Sequence, residues 1–118
     1  MLALARIVAA LAVLAGAVPA HAEDAFGIPL PAGCKRAPEL EKWLGDAFKR
    51  PIVACRSGKG VKELATFFRR QPGVRPAGEP TDQAAWLMKD AYDVMVQRPW
   101  ASQRAMEQDT LVTVMKAR

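Results

Sequence analysis

"AAWLMKDAYDVMVQ", residues 84–97, decides the fold of this chain. Read as a helix, it has Thr81 as a cap and good helix formers as far as Met88. Read as a hairpin, it gives two strands, 84–89 and 92–97, joined near Asp90-Ala91. Tyr92, Val94 and Val96 alternate with Asp93, Met95 and Gln97, the two-residue period of a half-buried strand. The second half is therefore a strand. The first half admits both readings, and the hairpin is the preferred one.

Downstream, "TLVTVMK" (110–116) is rich in β-branched residues and reads as a final strand. The polar connection "RPWASQRAMEQD" (98–109) has room for one helical turn started by Pro99. Upstream, Val74 to Thr81 carries two prolines and a glycine and reads as a loop. Val61, Leu64, Ala65 and Phe68 share one face of a helix running from about Val61 to Gln71, with Glu63 in its first turn and Pro72-Gly73 closing it. "IVAC" (52–55) is a short strand, and "RSGKG" after it is a turn.

The most regular helical pattern lies earlier. Leu40, Trp43, Leu44, Ala47 and Phe48 recur at the spacing of one helical face between Pro38 and Arg50. Glu39 and Glu41 suit its start, Lys49 and Arg50 its end, and Pro51 stops it. The order is thus α-β-α-β-β-β. It implies an α+β fold with two helices packed on one face of a small, mainly antiparallel sheet.

From "IVACRSGKGVKELATFF" through "AAWLMKDAYDVMVQ" to "TLVTVMK", the chain resembles small secreted bacterial domains of unknown function. In these a strand, a turn, a helix ending in two aromatics and a three-stranded meander follow a Pro/Gly-rich lead-in. The resemblance spans about two-thirds of the chain after its leader and implies no activity.

The first residues imply export. Arg6 precedes the apolar run Ile7–Val18, Pro19 breaks it, and Ala20-His21-Ala22 is the small-x-small pattern of a signal-peptidase site. Residues 1–22 read as a signal peptide cleaved between Ala22 and Glu23, residues 23–36 as an extended Pro/Gly-rich lead-in, and residues 37–118 as one domain. No later segment approaches the roughly 20 apolar residues that spanning a bilayer needs. The product is expected to be soluble, in the periplasm or secreted. "LPAGC" (30–34) imitates a lipid-attachment signal, but Glu23 and Asp24 separate Cys34 from the apolar run.

Cys34 and Cys55 are the only cysteines. A helix over 38–50 travels roughly 20 Å away from Cys34, and the following strand returns by Cys55 if the two elements pack antiparallel. In an exported chain a structural disulfide is the expected use of such a pair. A metal site and a redox role are the alternatives. The single histidine, His21, leaves with the signal peptide, two thiols are too few for a closed zinc site, and the pair lacks Cys-x-x-Cys spacing.

Loss of His21 also excludes Ser-His-Asp and Cys-His catalysis. No catalytic motif stands out and no cofactor or metal is implied. Asp90 and Asp93 near the hairpin turn leave a carboxylate-dependent hydrolase as a distant alternative. "SGKG" (57–60) lacks the rest of a phosphate-binding loop. Of the 17 basic residues only Arg6 leaves with the signal, so 16 face 12 acidic residues. That excess is too mild to make nucleic acid the expected partner.

Arg56, Lys59 and Lys62 surround the start of the second helix and Arg69 and Arg70 its end. With Trp86, Tyr92 and Trp100 they are the candidates for a basic and aromatic surface that binds an envelope protein or an anionic envelope component. Met88, Met95, Met106 and Met115 raise a second alternative, a copper- or small-ligand-binding module, against their use as core filler.

Overall fold

The computed structural model describes residues 21–98 and 109–117. The expected signal peptide, apart from its last two residues, and the expected helical turn at 99–108 lie outside them. The chain divides into two compact units, residues 1–32 and 33–118.

In the first unit, β1 (His21–Ala25) pairs antiparallel with β2 (Ile28–Pro31). Phe26 and Gly27 make the turn with φ of 54° and 86°. Two consecutive left-handed residues match the twist of the strands they join, which is why glycine occupies one of them. The segment read as an extended lead-in therefore folds on itself. Ala25, Ile28 and Leu30 are buried.

The second unit runs β3 (Lys35–Arg36), α1 (Pro38–Phe48), β4 (Ile52–Ser57), α2 (Val61–Arg69), β5 (Arg75–Pro76), β6 (Ala84–Lys89), β7 (Tyr92–Gln97) and β8 (Thr110–Lys116). Its strands form one sheet in the order β3-β4-β8-β7-β6-β5, and every neighbouring pair is antiparallel. This is the expected α+β class, two helices with a mainly antiparallel sheet. Residues 84–97 are a hairpin: Ala84 pairs with Gln97 and Lys89 with Tyr92. Asp90 takes the left-handed conformation at the turn, φ 53°. Thr81 caps no helix; its Oγ1 accepts from the N–H groups of Gln83 and Ala84 and turns the chain into β6.

The register sorts the strand residues onto two faces. One carries Cys55, Ser57, Thr110, Val112, Val114, Val94, Val96, Ala85 and Leu87, all buried. Val61, Leu64, Ala65 and Phe68 of α2 are buried with them, and α2 contacts β6 and β7. Phe67 meets Phe68 edge to face, with ring centroids 5.2 Å apart. "SGKG" is the turn that delivers α2: the Lys59 N–H donates to Ser57 Oγ at 3.2 Å, and Thr110 Oγ1 donates to the Lys59 carbonyl at 2.7 Å. Both buried hydroxyls are thereby satisfied.

α1 has another task. It ends at Phe48 because Lys49 turns left-handed, φ 60°, before Pro51. It contacts β4, yet none of its own residues is buried. At its start the Ala37 N–H donates to the Ala54 carbonyl and the Ala54 N–H donates to Glu41 Oε2, both at 2.9 Å. The β4 edge that β3 leaves uncovered is thus closed to another strand. Arg36 donates from Nε and Nη2 to the same carboxylate. Cys34 and Cys55 are joined in a disulfide with Cα atoms 5.4 Å apart, and no cysteine is free. No described helix is long and apolar enough to cross a membrane.

Candidate functional site

The second face of the sheet supplies the site. Strand alternation that buries Ala85, Leu87, Val94 and Val96 beneath α2 sends Trp86, Met88, Asp93 and Met95 to the opposite side. The register arranges them in rows. Trp86 pairs with Met95 and Met95 with Thr113; Met88 pairs with Asp93 and Asp93 with Met115. A third row joins Ala84, Gln97, Leu111 and Arg56. Toward β4 this face is closed, with Ile52, Ala54 and Thr113 buried. Toward β6 it opens: Met88, Asp93, Met95 and Met115 are half-buried and Trp86 is 49% exposed. The methionines at 88, 95 and 115 are thus half-buried rather than enclosed in the core. Met106 lies outside the described residues.

Charged side chains border this face. Arg75 of β5 stands in register with Met88 at one edge, and Lys35 of β3 with Arg56 at the other; both Arg75 and Lys35 are exposed. Arg56 Nη1 lies 3.5 Å from Glu39 Oε2, which places a carboxylate of α1 against this corner of the sheet.

The residues expected to form one basic and aromatic surface are divided. Arg56 and Trp86 belong to the open face. Lys59, Lys62, Arg69 and Arg70 lie on or beside α2, which covers the other face. Tyr92 is half-buried on that covered side, in register with Lys89 and Lys116. Trp100 lies outside the described residues. Lys59 pairs with Glu63 at 3.8 Å and Lys62 with Asp82 at 3.6 Å, so acids offset the positive charge at the start of α2. Arg69 and Trp86 do meet at the β6 edge, where both border a shallow groove over Ala65, Ala85 and Leu87 that encloses no volume for a ligand.

Asp90 sits at the hairpin turn and Asp93 on the open face between two methionines. Among the described residues no three His, Cys, Asp or Glu side chains form a metal-binding group. The one perturbed carboxyl among the described residues is structural. Burial pushes the Glu41 pKa up, but the hydrogen bonds from Arg36 and from the Ala54 N–H, with the Arg36 charge, outweigh it and hold the carboxyl below its ordinary value.

Reading the sequence missed Arg75 and Lys35, because strands of two residues leave no periodic trace. It also missed the solvent exposure of α1, where Trp43 is 67% and Phe48 48% exposed. The open face itself had a signal, the period-two pairs Trp86-x-Met88 and Asp93-x-Met95. No family model, curated protein or solved structure matches the chain.

Proposed function

We propose that this chain is exported, cleaved after Ala22, and acts by binding rather than catalysis. It docks an apolar segment of an envelope protein, flanked by acidic residues, on the open sheet face. The observation that carries this reading is Trp86, half-exposed among Met88, Met95 and Met115, with basic Arg75 and Lys35 at opposite edges of the same face. A tryptophan beside Met88 and Met95 offers a large apolar contact that adapts to its partner. The edge cations favour carboxylates on that partner and disfavour cations.

Export is supported by the Ile7–Val18 run, the Ala20-His21-Ala22 pattern and the disulfide, which persists in an oxidising compartment. Cleavage after Ala22 falls within β1 and leaves the Asp24–Pro29 and Ala25–Ile28 pairs in place. The resemblance to small secreted bacterial domains agrees with the same reading.

The test uses the processed protein and two synthetic peptides with the same apolar stripe, one flanked by glutamates and one by lysines, followed by fluorescence anisotropy. The acidic peptide is expected to bind, Trp86→Ala to abolish binding, and Arg75→Glu to weaken it roughly tenfold with a shallower salt dependence. Equal binding of both peptides, or binding indifferent to Trp86, would overturn the proposal. So would a response confined to anionic lipid vesicles.

A further inference from the structure

We propose that Met88, Met95 and Met115 form a three-thioether site for a soft monovalent cation, Cu(I) or its analogue Ag(I), on the open sheet face. The register carries the inference. Met88 and Met115 stand directly opposite Asp93 on the strands either side of it, and Met95 lies two residues along Asp93's own strand, on the same face. Strand spacing of about 4.8 Å and a rise of about 3.4 Å per residue put their Cα atoms at the corners of a triangle roughly 8 to 10 Å on a side. The unbranched methionine side chain has three rotatable bonds, so each sulfur can swing over the centre of that triangle.

Three further features suit a soft cation. The three methionines are half-buried, neither locked in the core nor fully in water. Asp93, midway between Met88 and Met115, supplies a negative charge beside the ion. Trp86 is cross-strand from Met95 and two residues from Met88, where its ring face can meet a cation held by those sulfurs. The donor set also fixes the selectivity. Both cysteines are in the disulfide, so no thiolate competes, and thioethers choose Cu(I) or Ag(I) over Zn(II) and the hard cations.

This inference does not rest on the docking reading. Leucine replaces methionine with little change of volume or polarity, so a Met→Leu variant keeps the apolar face while losing the sulfur.

The experiment is a titration of processed protein, labelled with carbon-13 at the methionine methyls, with Ag(I) in chloride-free buffer. Cu(I) affinity is then measured against a chromophoric chelator. The expected result is saturation at one ion per chain, with the methyl signals of Met88, Met95 and Met115 moving together. Met88→Leu, Met95→Leu and Met115→Leu should each weaken Cu(I) binding roughly tenfold or more while the circular dichroism spectrum keeps its shape. Three separate variants guard against one that fails to fold. No saturable shift, binding unaffected by all three substitutions, or Zn(II) bound as well as Cu(I) would overturn the proposal.

Discussion

The two faces of the sheet are made by the same strands and could hardly differ more. Beneath α2 lie Val94, Val96, Val112, Val114 and Leu87, all buried. On the other side, one residue along each strand, are Trp86, Met88, Asp93, Met95 and Met115, none of them buried. β-Branched side chains have few rotamers and pack well against a fixed neighbour such as α2. Methionine keeps its freedom and suits a surface whose contacts come and go. The comparison separates a face that holds the fold together from the one proposed for binding, and mutations can break or sharpen it.

The largest effect belongs to the covered face. Phe68 is fully buried beneath it, so Phe68→Ala should cost about 3 to 5 kcal/mol of stability in equilibrium denaturant unfolding. A cost below that of an ordinary surface substitution would show that α2 is not the wall of the core.

Next comes the disulfide, which ties the segment before α1 to the middle of β4. Replacing Cys34 and Cys55 together by serine should lower stability by roughly 2 to 4 kcal/mol while the circular dichroism spectrum keeps its shape. The loss arises in the unfolded chain, which regains the freedom of a loop spanning 21 positions. Two free thiols in denatured, non-reduced protein from the native host would remove the basis of this expectation.

A smaller effect lies at the sheet edge. Glu41→Gln should cost on the order of 1 to 2 kcal/mol at neutral pH, because its carboxylate accepts charge-assisted hydrogen bonds from Arg36 and one from the Ala54 N–H. The sign with pH follows from the lowered pKa. The folded protein prefers the ionised form, so the contribution is complete above the unfolded value near 4.5 and is lost as pH falls through the lower folded value. Unfolding curves for wild type and Glu41→Gln should therefore converge in acid. A constant gap between them would mean that the charge plays no part.

How much of this was legible in the sequence depended on the range of the forces involved. The hairpin at 84–97 was readable because alternation from Tyr92 to Gln97 and a turn at Asp90-Ala91 are local. The disulfide was readable because a helix out and a strand back bring two cysteines to one end. By contrast, the Leu40, Trp43, Leu44, Ala47, Phe48 stripe correctly marked a helix but not its burial. Periodicity reports that a helix has an apolar side, and only topology decides what covers it. The shorter α2 buries four residues because the hairpin passes beneath it. The expected basic and aromatic surface was split for the same reason. Arg56 and Trp86 fall on one side of the sheet and Arg69 and Tyr92 on the other, a division fixed by register across strands distant in sequence.

The smallest stability effect tests the central claim most directly, that the open face serves binding and not the fold. Equilibrium unfolding of Trp86→Ala should show a loss of about 1 kcal/mol or less with an unchanged denaturant slope, although the substitution removes the largest side chain of the sheet. A loss approaching that of Phe68→Ala would mean that Trp86 is part of the core and would contradict the account.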